Sequence, residues 1–151
     1  MNIDKIHDLF KGLFISSFSG QFFVKVLFDN AINAELLSAF IAGLSMFGRE
    51  TTGHIEEIAI KGLDLEIFVV VKHDLILTAI FSKEMPKMNI REEAETLLDI
   101  FFMKYGSLLS ETKGCVDEFK EFENTIHKQI EAYFKRLEPE KKGVWSRLKF
   151  F

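Results

Sequence analysis

The stretch that decides the fold reads Asn30-Ala-Ile-Asn-Ala-Glu-Leu-Leu-Ser-Ala-Phe-Ile-Ala-Gly-Leu-Ser-Met-Phe-Gly-Arg-Glu50. Its large apolar residues recur at steps of three and four, which places them on one face of a helix. These residues are Leu36, Leu37, Phe40, Ile41, Leu44 and Phe47. Because such a face is normally buried, we predict a helix that packs these side chains on a sheet.

The opposite face of this helix is built from small residues and one cation. Its members are Ala34, Ser38, Ala42, Ser45 and Arg49. A solvated helix normally carries Lys and Glu on its outer face, so a small and nearly uncharged face predicts a second cover. We interpret these five residues as a partner-binding surface. The alternative is that the N- or C-terminal segment of the same chain folds over them.

Composition predicts one ordinary globular domain. The chain has 151 residues, of which 48% are hydrophobic and 28% charged, within the range of water-soluble folded proteins. Seventeen Phe residues predict a thick aromatic core. The net charge of -4 argues against a nucleic-acid partner, since phosphate binding needs a surplus of cations on one surface.

Cysteine usage and the absence of long apolar runs bear on the location of the chain. Cys115 is the single cysteine and cannot form an internal disulfide, which favours a reducing compartment. The segment Met1 to Asp8 lacks the apolar run of a signal peptide. No run of about eighteen uncharged apolar residues predicts a transmembrane helix. We therefore expect a cytoplasmic protein, which the C-terminal tail could also bring to a membrane surface.

Periodicity and turn residues predict the order β-β-α-β-β-β-α-α, with a short leading helical piece around Ile3 to Phe10. This order predicts an α+β fold in which a five-stranded antiparallel sheet lies between one helix and two later helices, as an α/β/α sandwich. The predicted strands are Gly12 to Phe18, Gln21 to Phe28, His54 to Lys61, Leu63 to Lys72 and Leu75 to Ser82.

Capping residues and proline predict where the helices begin and end. Asp29 or Asn30 is expected to cap the first long helix. The second should run from Asn89 to about Leu109. The third should begin near Val116 and end at Glu138-Pro139, because the residue before proline disfavours helical geometry. We divide the chain accordingly into a domain at 1–137 and a tail at 138–151.

The tail combines cations with apolar side chains. From Lys135 onward the chain carries a net charge of +4, whereas the whole chain carries -4. Such a mixture is typical of a segment that binds an anionic membrane surface weakly or docks on a partner. The equally weighted alternative is that the tail packs on its own domain. The candidate tail interaction residues are Trp145, Arg147, Leu148, Lys149, Phe150 and Phe151.

Residues that carry out chemistry are sparse in this sequence. The four histidines, at positions 7, 54, 73 and 127, show neither the i, i+4 pairing nor the spacing to Cys115 that a metal site uses. Neither a phosphate-binding Gly-x-x-x-x-Gly-Lys-Ser/Thr run nor a dinucleotide fingerprint occurs. We therefore expect no catalytic residue, no metal and no cofactor, and a chain that is not itself a GTPase of the common type.

Several segments resemble the longin domain and its relative, the roadblock domain. The segment 12–21 resembles the family's opening hairpin, a strand that ends in a Ser-Gly turn. Leu36 to Glu50 resembles its first helix, Ile58 to Phe81 its three-strand meander, and Phe101 to Leu109 the following helix. The likeness covers about residues 10 to 137. The shortness of the leading helical piece makes longin the closer of the two.

This resemblance implies protein interaction rather than catalysis. Longin and roadblock domains are non-enzymatic platforms that pair with one another, often through the first helix. They bind small GTPases, adaptor subunits or fusion proteins in trafficking and signalling systems. The resemblance therefore implies a homodimer or heterodimer with another such protein, presenting a surface to a small GTPase. The absence of a SNARE-like heptad segment argues against a fusion role.

A second hypothesis comes from a different functional class. A domain with this α/β/α arrangement could sense a small molecule in a pocket between the sheet and the helices. A well-formed internal cavity would support that reading, because ligand sites are concave and largely apolar. The many Phe residues predict instead that the interior is filled.

Overall fold

The fold is an α+β sandwich around five strands, as predicted. The computed structural model describes residues 3–51, 53, 55–62, 64–109 and 116–148, with residues 116 and 138–148 described as backbone only. The strands are β1 Phe10–Ser16, β2 Phe22–Leu27, β3 Glu57–Lys61, β4 Leu65–Lys72 and β5 Leu75–Ser82. The helices are α1 Ile3–Leu9, α2 Ala34–Thr51, α3 Ile90–Leu109 and α4 Phe122–Leu148, with a short 3₁₀ helix at Val116–Phe119.

All strand pairs are antiparallel, and the spatial order is β2-β1-β5-β4-β3. The meander of β3, β4 and β5 is confirmed. The hairpin of β1 and β2 is also confirmed, and it joins the meander through pairing of β1 with β5. β3 and β2 are therefore the two edge strands, and β5 lies in the centre with nearly every residue buried.

Helices cover both faces of the sheet. α2 lies on one face, where Ile41 packs with β4 and β5 residues and Ala34 packs with Phe14 and Ile80. The other face carries the larger core, to which α1, α3 and α4 all contribute. One helix on one face and two long helices on the other agree with the prediction. The aromatic centre of the larger core, with ring centroids 5.0–6.0 Å apart, is formed by Phe23, Phe101, Tyr105, Phe119 and Phe122.

The turn between β4 and β5 connects the two helical layers. His73 and Asp74 both adopt a φ of 58°, a left-handed geometry that costs free energy for residues other than glycine. His73 hydrogen-bonds Asp99 of α3 at 2.7 Å, and Asp74 pairs with Arg49 of α2 at 3.1 Å. The bonds from His73 and then Lys72 lower the pKa of Asp99, which favours its charged form.

Three predicted helix boundaries are wrong. The last helix was expected to begin near Val116, but a 3₁₀ helix occupies Val116–Phe119 and α4 begins at Phe122. α2 is capped by Asn33, whose side-chain oxygen accepts the N–H of Leu36 at 2.9 Å, rather than by Asp29 or Asn30. Asp29 instead accepts the N–H of Ala31 and so stabilises a turn before the helix. The backbone of α4 continues to Leu148 instead of ending at Glu138-Pro139. Proline removes one helical hydrogen bond and its ring crowds the carbonyl four residues before it, so a helix that continues through Pro139 is an exception to the usual local rule.

The predicted tail falls largely outside the described side chains. Residues 138–148 have a described helical backbone, which includes Trp145, Arg147 and Leu148. Lys149, Phe150 and Phe151 lie outside the described residues. The division of the chain at residue 137 and the role of the tail therefore remain predictions.

Candidate interaction surface

The orientation of α2 is opposite to the one predicted from its sequence. The small residues Ala34, Ser38, Ala42 and Ser45 face the sheet and are at most 3% exposed. Of the six large apolar residues expected on the sheet, Ile41 is fully buried, and Leu37 and Leu44 are half-buried. The other three, Leu36, Phe40 and Phe47, are exposed. The prediction that the small face is bare for a partner is wrong, because the protein's own sheet covers it.

Small side chains let α2 lie close to the rest of the chain. The hydroxyl of Ser38 donates to the carbonyl oxygen of Gly20 at 2.7 Å, which ties the helix to the turn between β1 and β2. Gly20 has a φ of +91°, and a Cβ there would lie 3.3 Å from the Cα of Ala39. A larger residue in place of Ser38 or Gly20 would push the turn away from the helix. This close seat explains why the large side chains lie on the outer face.

The outer face of α2 is apolar. Leu36, Phe40 and Phe47 are 69%, 58% and 65% exposed, and Met46 beside them is also exposed. Helical geometry places Leu36, Phe40 and Phe47 on one stripe, because they are separated by four and seven residues. Large apolar side chains clustered on one exposed face mark interaction sites in folded proteins. We call these four residues the outer face of α2.

Two features favour close approach by another chain at the outer face. Gly43 lies between Phe40 and Phe47, and a Cβ at Gly43 would have no heavy atom within 4 Å. A helix without a side chain at such a point lets a second helix backbone come close. The edge strand β3 lies on the same side of the sheet as α2, because its Ile58 and Ile60 pack in the same partly buried cluster as Leu37.

Arg49, the fifth residue predicted to bind a partner, has intramolecular contacts. Its guanidinium lies 3.1 Å from the carboxylate of Asp74 and 4.1 Å from the ring centroid of Phe18. The side chain is still about half exposed. Arg49 therefore anchors the end of α2 near the β4–β5 turn, and its contact with a partner remains a prediction.

The seam between α2 and the sheet contains hydroxyl groups without partners. Ser16, Thr78 and Ser45 are at most 1% exposed, and among the described residues their hydroxyls have no hydrogen-bond partner. An unpaired buried polar group costs about 1–3 kcal/mol, whereas burying one Ile gains about 1.5–3 kcal/mol. Each such hydroxyl makes the packing of α2 on the sheet less favourable than its apolar contacts alone would make it.

The interior cavity relevant to the sensor hypothesis is small. A cavity of about 50 Å³ lies between the sheet and the pair α3 and α4, well below the roughly 300 Å³ or more of a ligand pocket. Tyr133 lines this cavity, and its hydroxyl donates a hydrogen bond to the carbonyl oxygen of Met88 at 2.8 Å. Burial raises the pKa of Tyr133 to about 12. The small volume argues against a ligand in this cavity. A larger pocket of about 280 Å³ lies between α3 and the end of the sheet near His73 and Phe102, and it is open to solvent rather than enclosed in the core.

The described part of the chain shows neither a metal site nor a membrane-spanning helix. Within it, no group of three His, Cys, Asp or Glu side chains is placed to hold a metal ion. No helix there has both the length and the apolar content that crossing a membrane requires.

Comparison with known proteins identifies the fold. No protein-family model matches the sequence, and no curated protein matches it. Among solved structures, the roadblock/LC7 domain from Streptomyces avermitilis superposes with a TM-score of 0.54 at 15% identity, covering 64% of this chain and 85% of that one. MglB from Myxococcus xanthus gives 0.54 at 16% identity, covering 64% and 82%. The chain has a roadblock/longin fold.

A third structure, described as MglB with a tetrameric arrangement, gives a TM-score of 0.51 at 12% identity and covers 65% of this chain and 83% of that one. At these identities the likeness concerns the fold alone. The strand order of the sheet is consistent with the roadblock/longin fold. The family resemblance seen in the sequence is therefore confirmed at the level of the fold.

Proposed function

We propose that the protein is a non-enzymatic interaction module that dimerises through the outer face of α2 and presents a composite surface to a small GTPase. The observation that carries this proposal is the exposure of Leu36, Phe40 and Phe47 on one helix face. Covering these apolar side chains with a partner removes them from water, which lowers the free energy of the system. The roadblock/longin fold supports the proposal, since the family resemblance implies pairing.

A second copy of the chain is the partner that fits this surface best. The stripe from Leu36 to Phe47 contains no charged residue, so two copies can meet without burying an unpaired charge. A two-fold axis near Gly43 would place each Phe40 against the other helix, because Gly43 lies midway between Phe40 and Met46. Isologous contacts of this kind require only one self-complementary patch.

The GTPase part of the proposal rests on the family resemblance. The sequence has no phosphate-binding loop, so the chain would act on a separate GTPase rather than hydrolyse GTP itself. A module without a catalytic side chain alters nucleotide exchange by binding one conformation of the GTPase more tightly than another. An effect on exchange therefore requires different affinities for the GDP and GTP states.

The test combines oligomeric state with direct binding. Light scattering on the purified chain from about 1 to 200 µM should show a mass twice that of the 17.5 kDa chain. Calorimetry against purified small GTPases, each loaded with GDP or a non-hydrolysable GTP analogue, should show binding that favours one nucleotide state. A strict monomer over this concentration range that binds none of the GTPases would contradict the proposal.

For the tail we propose weak binding to an anionic membrane surface, supported by its cations and its aromatic residues. Vesicles with 30% phosphatidylserine should sediment the full chain at low salt, and pure phosphatidylcholine vesicles should not. Removal of residues 143–151 should abolish sedimentation and leave the thermal unfolding midpoint unchanged. Equal sedimentation of the shortened and full chains would exclude the tail as the membrane contact.

A further inference from the structure

The residues through which α2 packs on the sheet differ in size from those of the other long helices. Ile41 is the one large apolar side chain of α2 that is fully buried; Leu37 and Leu44 are half-buried, and the other buried residues of the helix are small. α3 and α4 are held by many large buried residues. Those on α3 are Leu97, Leu98, Phe101 and Tyr105; those on α4 are Phe122, Ile126, Ile130, Tyr133, Phe134 and Leu137. Elements with few buried apolar contacts open before the rest of a fold.

The unpaired hydroxyls lie on the α2 side of the sheet. Thr78 pairs in register with Phe14, which packs with Ala34 of α2. Ser16 lies two residues beyond Phe14 on β1 and so shares its face. Ser45 lies one helical turn beyond Ile41 on α2. While α2 lies on the sheet, these hydroxyls have no hydrogen-bond partner among the described residues, and opening of α2 would expose them to solvent.

We propose that α2 is a conformational switch: in the free monomer it opens transiently from the sheet, more often than α3 or α4 does, and the dimer contact suppresses this opening. This inference rests partly on the proposed function, since a second copy is the agent that holds α2 in place. A partner that contacts both α2 and the edge strand β3 can bind only when α2 is packed on the sheet. Binding to one of two states stabilises that state, so partner release and α2 opening are linked.

Hydrogen exchange of the full chain, followed segment by segment, tests the switch. In the Phe40→Glu variant, held monomeric, the amides of α2 should exchange at least tenfold faster than in the wild-type dimer. The amides of α3 and α4 should keep their protection. In that monomeric background, Thr78→Val together with Ser45→Ala removes two unpaired hydroxyls and should slow α2 exchange about tenfold.

Ser107→Ala is the matched control. Ser107 lies in α3 and is exposed, so its replacement gives a similar gain in helix propensity without removing a buried hydroxyl. It should leave α2 exchange unchanged. If the double variant fails to fold, Ser45→Ala alone gives the same comparison within α2.

Two results would overturn the switch. One is α2 protection equal to that of α3 in the monomeric variant, and the other is unchanged α2 exchange after removal of the hydroxyls. Failure of the proposed dimer would appear separately, as a wild-type chain that is monomeric at every concentration. In that case the wild type replaces the Phe40→Glu background, and slow α2 exchange in it overturns the switch.

Discussion

Phe40→Glu is expected to convert the dimer into a folded monomer. Phe40 is 58% exposed in the single chain, so the substitution removes no core contact and should leave the thermal unfolding midpoint of the monomer within a few degrees. At the centre of a helix–helix interface the same change buries a carboxylate without a partner. A loss of about 3 kcal/mol or more raises the dimer dissociation constant at least about 100-fold. Sedimentation equilibrium measures this constant directly.

Met103→Glu is the control for this prediction. Met103 on α3 is 86% exposed and lies outside the outer face of α2, so its substitution introduces the same charge at an equally apolar position. The dimer dissociation constant of this variant should stay within about twofold of wild type. Equal weakening by both substitutions would indicate a general effect of charge and would remove the outer face of α2 as the interface.

The sequence was sufficient to predict the strands, the meander and the existence of three long helices. Each depends on local patterns: alternation in β4, turn residues such as His73-Asp74, and helical periodicity in α3. It was not sufficient to predict which face of α2 meets the sheet. Periodicity divides a helix into two faces, and the usual rule buries the larger apolar one.

A signal for the correct orientation of α2 was present in the strands. The strand residues beneath α2 are bulky, and they fill much of the space between the sheet and the helix. They are Phe14, Val69, Val71, Ile76 and Ile80. Facing positions in a packed core alternate large with small. Small residues on the helix therefore complement large residues on the strands, and this complementarity needs the strand register as well as the helix pattern.

Other features depended on geometry that no local pattern encodes. Whether Ser45 or Thr78 finds a hydrogen-bond partner depends on atoms from separate segments, so the unpaired hydroxyls of the seam could not be predicted. The course of α4 through Pro139 is different, because proline is a strong but not absolute signal.

The corrected orientation of α2 itself makes a second prediction of large effect. Ala42→Glu should unfold the protein or lower its free energy of unfolding by about 4 kcal/mol or more. Ala42 is 3% exposed against the sheet, where a carboxylate has neither water nor a cation to compensate its burial. Since folded domains are stable by only about 5–15 kcal/mol, the loss is a large fraction of the total. Urea unfolding followed by far-ultraviolet circular dichroism measures it.

Ala39→Glu on the same helix separates burial from helix propensity. Ala39 is exposed and lies three residues from Ala42, so both substitutions change propensity by a similar, small amount. Ala39→Glu should cost less than about 1 kcal/mol. Had the small face been bare for a partner, Ala42→Glu would leave a stable folded monomer and the two variants would unfold alike. A large difference between them shows that the chain itself covers the small face, which leaves the outer face of α2 as the side available to another chain.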